Sequence, residues 1–292
     1  MKVVDAASPL AQKWQGIVQI TRADKPIGTY LLLWPTYWAL WIASDGFPPL
    51  HWLIVFSLGV FVMRSAGCVI NDWADRKVDG QVKRTQNRPL VSGALTPSDA
   101  LSLFGLLIGI ALGLVLTLSW YTIQLSVIAV LLAASYPFMK RYTQLPQVVL
   151  GAAFSWGMIM AFSEGMGEIP VVAWLLFSAN LLWTVAYDTM YAMVDRDDDL
   201  RIGVKSTAIL FGKHDKRIIL FLQLLTLGLL VSVGEMLAFG WPYQLSLVIA
   251  AGFFCYQQIL IVNRERDKCF QAFLNNHFVG LVVFIGIAIE HL

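Results

Sequence analysis

Nine apolar runs, at roughly 27–43, 51–70, 100–118, 122–139, 147–163, 170–190, 218–239, 243–262 and 271–290, take up most of this chain of 292 residues. A helix rises 1.5 Å per residue, so a run of about 20 residues matches a hydrocarbon layer of about 30 Å. Inside that layer no water can satisfy backbone groups, and the runs must therefore be helices. The predicted fold is an all-α integral membrane protein, a bundle of nine transmembrane helices forming a single domain over 1–292. With only 14% of residues charged and a mean hydropathy of +0.66, nothing is left over for a separate soluble domain. The net charge of +2 carries no basic surplus, and no nucleic-acid partner is expected. Cys68, Cys255 and Cys269 lie in or beside apolar stretches, which argues against a disulfide framework. No apolar run closed by a small-residue cleavage site precedes Thr21, so no removable signal peptide is expected.

Lysines and arginines set the orientation. With the N-terminus inside, every one of them except Arg64 falls in the N-terminal segment or in the loops after the second, fourth, sixth and eighth runs. The opposite loops hold Asp45, Glu164 and Glu168 and neither lysine nor arginine. The positive-inside rule then predicts N-inside and C-outside. Two inner loops, roughly 71–99 and 191–217, are long and hold most of the charge, so function is expected on that face.

Both long loops begin with spaced carboxylates. After the second run come Asn71, Asp75 and Asp79, at i, i+4 and i+8, which form one polar stripe if the helix continues through them. After the sixth come Tyr191, Asp195 and Asp199 at the same spacing, with Asp195 and Asp199 each 120 residues beyond Asp75 and Asp79. The pattern looks like an internal duplication of a helix-end unit. Stacked carboxylates repel, and two facing stripes call for a cation between them. Mg²⁺ suits such oxygen ligands and commonly completes its shell with substrate phosphates. Lys83, Arg84, Arg88, Lys140, Arg141 and Lys205 stand near as donors for phosphate oxygens. The set reads as a diphosphate site at the inner membrane surface. For Asp72, Asp197 and Asp198, off the stripes, solvation or supporting contact and metal ligation both stay open.

Arg64, seven residues before Asn71, lies about 10 Å deeper on nearly the same helix face. A charge inside the membrane is a functional hypothesis by default; it anchors an anionic acceptor or pairs with an aspartate of the second stripe. Asp188, seven residues before Asp195, lines the inner mouth in the same way. Arg22, Asp24 and Lys25 precede the first run, where helix capping and anion binding are alternatives.

At these positions the sequence resembles the UbiA family of intramembrane prenyltransferases. Its two aspartate-rich motifs correspond to Asn71-Asp72-x-x-Asp75-x-x-x-Asp79 and Asp188-x-x-Tyr191-x-x-x-Asp195-x-x-x-Asp199. Four further stretches, starting at Asp24, Asn87, Tyr136 and Val194, look like the branch that prenylates 4-hydroxybenzoate in proteobacteria. The resemblance implies a nine-helix bundle in the bacterial inner membrane, with a central cavity open to lipid and capped by the two motif loops on the cytoplasmic side. It implies Mg²⁺ held by Asp75, Asp79, Asp195 and Asp199, with Asn71 assisting, against the diphosphate of a polyprenyl diphosphate donor. Arg84, Arg88, Lys140 and Arg141 then contact diphosphate or substrate, and the acceptor carboxylate falls to Arg22, Lys25, Arg64 or Arg141. The implied reaction gives the 3-polyprenyl product, a membrane step of ubiquinone biosynthesis. A UbiA-type enzyme with another aromatic acceptor is one rival. A phosphatidyl-transfer enzyme is another, weakened because Asp79-Gly80 is not followed by Ala-Arg. A cation-coupled transporter is disfavoured, since its site belongs near the bilayer midplane.

Overall fold

The computed structural model describes residues 8–81, 85–203 and 205–292, and every regular element among them is helical. In chain order these are α1 (Pro9–Ile20), α2 (Ile27–Ala43), α3 (Leu50–Asp75), a 3₁₀ turn (Asp79–Gln81), α4 (Pro89–Ser92), α5 (Pro97–Val115), α6 (Trp120–Tyr142), α7 (Pro146–Met166), α8 (Val171–Ile202), α9 (Thr207–Phe211), a 3₁₀ turn (Gly212–His214), α10 (Asp215–Met236), α11 (Trp241–Leu260) and α12 (Arg266–Glu290). All the expected spans form as helices. Among the described residues, eight stretches are long and apolar enough to cross a membrane. The remaining one, α2, forms over the predicted 27–43, but its 17 residues rise only about 26 Å.

Local signals account for most boundaries. Ser119 caps α6 by accepting from the Thr122 amide, and Thr96 and Asp99 form a reciprocal capping box on α5. Prolines occupy the first turn of α5, α7 and α11, where a missing N–H costs nothing. On the face opposite the charged loops, Glu290 accepts from the Gly240 and Tyr243 amides at the start of α11 (2.8 and 3.0 Å).

Two helices outrun the bilayer. At 26 and 32 residues, α3 and α8 rise about 39 and 48 Å. Each therefore carries its apolar span and projects its acidic residues beyond it. The loop expected to begin at 191 is instead helical to Ile202.

The apolar interior has two parts. The larger packs α2, α7, α8, α10, α11 and α12 around Trp38 and Trp183, whose rings stack with centroids 5.7 Å apart. Both indoles are satisfied, Trp38 donating to the Gly280 carbonyl and Trp183 to Asn276 Oδ1 (2.9 and 2.8 Å). The smaller part joins α1, α3 and α5 through Ile20, Val62, Ala66, Val69, Leu95, Ala100 and Leu107. Val55, Phe56 and Leu118 belong to the larger part, so the two meet at the end of the bundle away from the charged loops. Elsewhere they stand apart, and a cavity fills the gap.

Candidate active site in the central cavity

That cavity has a volume of about 1060 Å³. Its mouth, at the charged end, gathers Arg22, Lys25, Asn71, Asp75, Asp79, Arg88, Asp195, Asp199 and Lys205. Arg64, Asp188 and Tyr191 also line it, and its depth is walled by apolar and small residues of α2, α3, α5, α6 and α7. The two motifs, 120 residues apart in sequence, thus face one space.

The first motif is built on the end of α3. The stripe predicted through Asp79 is broken: α3 stops at Asp75, and Asp79 opens a 3₁₀ turn. No glycine or proline causes the stop, since Gly80 comes later. The last carbonyls are taken instead: Trp73 O accepts from Arg76 (2.5 Å), Ala74 O from Arg141 (3.0 Å) and Asp75 O from the Val78 amide (2.8 Å). Thr85 Oγ1 then binds the Asp79 carbonyl (2.6 Å) and fixes the turn.

Arg88 reaches back to this turn. Pro89 holds the Arg88 backbone extended at φ −62°, ψ 148° as it enters α4. Arg88 Nη1 then lies 2.8 Å from Asp79 Oδ2 and 2.9 Å from Asp72 Oδ1. Asp72 also accepts from Arg22 Nη2 at 2.9 and 3.0 Å. Arg22 itself has a left-handed backbone (φ 58°) and is steadied by a bond to the Gln19 carbonyl (2.6 Å). Asp72, with its side chain 1% exposed, is therefore the hub of the first motif. The sequence left Asp72 open between solvation, supporting contact and metal ligation, and its position three residues before Asp75 is the one signal that could have placed it beside the motif. Burial raises the Asp79 carboxyl above the usual range, Arg88 opposes this, and Asp75 and Asp72 add to the rise.

The second motif stays helical. Tyr191, Asp195 and Asp199 keep their i, i+4, i+8 spacing on α8, which ends only where Gly203 turns left-handed at φ 73° and its amide returns to the Asp199 carbonyl. Arg266, at the start of α12, holds Asp198 (3.1 Å) and Asp197 (3.4 Å), so these off-stripe aspartates tie α8 to α12. On the other side of α8, Arg196 and Arg264 converge on fully buried Asp215 of α10.

Four expected donors remain: Arg141, Arg84, Lys140 and Arg64. Arg141, expected as a catalytic contact, is exposed, is not among the cavity-lining residues and caps the end of α3 instead. Arg84 and the Lys140 side chain lie outside the described residues. Arg64 does reach the cavity. Its guanidinium lies against α2 where Gly28 has no side chain, since a β-carbon there would come within 2.8 Å of the guanidinium carbon. Arg64 Nε is buried without a hydrogen-bond partner among the described residues.

The donor set is chemically that of a hard cation: carboxylate oxygens with an amide beside them. Among the described residues, no three of the His, Cys, Asp and Glu side chains converge closely enough to hold an ion. The residues thus fit Mg²⁺ in chemistry and in facing one cavity, where one or two carboxylates with waters and substrate phosphates suffice for that ion.

Relatives place this geometry. The chain matches the UbiA prenyltransferase family over residues 32–282. It is 76% identical over 283 residues to a protein of Colwellia psychrerythraea named 4-hydroxybenzoate octaprenyltransferase, covering 97% of this chain and 99% of that one. Its fold is similar to the apo structure of a UbiA homolog from Aeropyrum pernix, with a TM-score of 0.79 and 25% identity over 90% of this chain and 98% of that one. It is similar also to a UbiA homolog from Archaeoglobus fulgidus bound to GPP and Mg²⁺, with a TM-score of 0.74 and 17% identity over 95% and 100% of the two chains. From its sequence, its multi-pass helical fold and its cavity, the chain belongs to the UbiA prenyltransferase family.

Proposed function

We propose that this protein transfers a polyprenyl group from a polyprenyl diphosphate to the 3-position of 4-hydroxybenzoate, releasing diphosphate, as a membrane step of ubiquinone biosynthesis. The observation that carries this reading is a single cavity whose mouth is ringed by arginines and aspartates and whose depth is apolar. The name of the 76% identical relative supports the choice of acceptor.

In this reading the bond from the allylic C1 to the diphosphate oxygen breaks, its electron pair leaves with the diphosphate, and the ring carbon ortho to the hydroxyl attacks C1 before losing its proton. Asp75, Asp79, Asp195 and Asp199 would hold Mg²⁺, with Asn71 beside them; when bound, the ion supplies neutralisation of the leaving diphosphate. Arg88 and Lys205 donate to diphosphate oxygens at the mouth. Arg22 is committed to Asp72 and Arg141 to α3. Lys25 stays at the mouth, and Arg64, deeper and with an Nε unbonded among the described residues, takes the acceptor carboxylate. Tyr191, one turn from Asp195 and 4.7 Å from the Phe273 ring, offers an aromatic face to the developing allylic cation. The apolar walls keep water from that cation. The concentration of lysine and arginine at the mouth supports a cytoplasmic active site in the bacterial inner membrane, N-inside and C-outside.

The test is to incubate membranes containing the protein with labelled 4-hydroxybenzoate and geranyl diphosphate, and to follow label entering the lipid extract. Transfer that requires Mg²⁺ is expected. Undiminished transfer in excess EDTA would remove the metal from the scheme, and no transfer by folded protein would turn the search to other aromatic acceptors.

A further inference from the structure

Two kinds of helical glycine stand out in this bundle. At the first kind a β-carbon would collide with a neighbouring helix: within 2.8 Å of Ala43 at Gly165, 2.6 Å of Tyr243 at Gly234 and 2.9 Å of Trp34 at Gly280. Those glycines let helices approach. Gly59 and Gly67 are of the second kind: as at Gly105, Gly109, Gly113, Gly228 and Gly252, a β-carbon at either would have no neighbouring atom within 4 Å. Both lie on α3, and both line the central cavity. Packing does not call for glycine there, and helix propensity disfavours it against alanine. What the missing side chains leave is space along the cavity wall. Small residues face the same space from α6 and α7, among them Ala129, Ala133, Ala153 and Gly157.

The lining stripe of α3 runs from Asp75 at the mouth to Val55, a rise of about 30 Å. On that scale Gly67 stands about 12 Å and Gly59 about 24 Å from Asp75. An extended isoprene unit has four backbone bonds of about 1.5 Å and spans roughly 5 Å. With a diphosphate at the aspartates, Gly67 therefore lies beside about the second isoprene unit and Gly59 beside about the fifth.

We propose that Gly59 and Gly67 are specificity-determining positions that keep the cavity open for a long prenyl chain, and that filling either sets a shorter upper limit on the donor. The inference rests on the prenyl-transfer reading of the same cavity. A side chain added at Gly59 blocks long donors and spares short ones, whereas one added at Gly67 blocks from nearer the diphosphate.

The experiment compares wild type, Gly59→Phe, Gly67→Phe and the control Gly252→Phe, whose β-carbon would also be unhindered but which is not among the cavity-lining residues. Each is assayed in membranes with 4-hydroxybenzoate and dimethylallyl, geranyl or octaprenyl diphosphate. In Gly59→Phe, kcat/KM for the octaprenyl donor should fall about tenfold or more relative to the geranyl donor, as overpacking costs of this kind imply. In Gly67→Phe the geranyl donor should fall as well, with dimethylallyl least affected. Gly252→Phe should keep the wild-type ratios. Unchanged donor ratios in both α3 variants, or equal loss with all three donors, would overturn the proposal while leaving the transfer reaction intact. Absence of transfer by wild type with every donor would instead overturn the reading on which it rests.

Discussion

The two aspartate motifs share a spacing and a cavity but are held in place by different means. The first sits where a helix has been stopped by side chains from elsewhere: Arg141 from α6 on a terminal carbonyl, Arg88 and Arg22 on Asp72. The second sits on helix that simply continues, ended by a glycine cap and braced by Arg266 at its edge. The first arrangement is centred on a buried hub, Asp72, beyond a helix end, while the second rides on a helix that runs past its aspartates and is tied at its edge to Arg266, 68 residues from Asp198. Two copies of one sequence pattern can thus place equivalent carboxylates at one cavity with unequal dependence on the surrounding fold.

The largest effects should fall equally on both motifs. Asp75→Ala and Asp195→Ala, shown by detergent extraction and circular dichroism to be inserted and helical, should each lose about a hundredfold or more in kcat/KM, the scale of removing a charge-stabilising group. Retention of activity by either one would break the symmetry between the motifs.

The neighbours of these aspartates should sharpen the contrast. Asp72→Asn leaves Arg22 and Arg88 short of a buried partner, a change that costs about 3–5 kcal/mol where the charge stays buried. Donor KM should rise and activity drop by about a hundredfold through misplacement of Arg88. Asp198→Asn, which loosens one bond from Arg266, should change activity by less than about threefold. Equal effects in initial-rate assays would erase the distinction between a motif beyond a stopped helix and one on continuous helix.

A smaller difference is expected for Arg266→Ala. The arginine side chain is 42% exposed and its partners Asp197 and Asp198 are 72% and 11% exposed, so the two pairs together contribute on the order of 1 kcal/mol and thermal unfolding should shift by only a few degrees. Smallest of all, Gly203→Ala must carry a β-carbon at φ 73°. It should cost about 1 kcal/mol of local stability, visible as faster amide exchange in the last turn of α8 with near-normal turnover.

The same contrast explains what the sequence made legible. Spans follow from apolar length, and the predicted 27–43 and 243–262 closely match α2 and α11. Gly203 is a stop signal that can be read locally. The stop at Asp75 cannot be, because it depends on Arg141, 67 residues from the carbonyl it binds. Asp72 stayed ambiguous for the same reason, its partner Arg22 being 50 residues away. The amphipathic α1 was not anticipated among apolar runs, although it leads into Arg22. Arg141 read as a substrate contact because charge near an acidic motif looks alike in sequence whether it faces a cavity or a helix end.

The central claim is that both motifs grip one diphosphate. Its most direct test is calorimetric titration of the purified protein with a non-hydrolysable geranyl thiolodiphosphate and Mg²⁺, for wild type and the Asp75→Ala and Asp195→Ala variants. The account predicts Mg²⁺-dependent binding by wild type and loss of that binding in each variant alone. Wild-type affinity retained by either variant would contradict it.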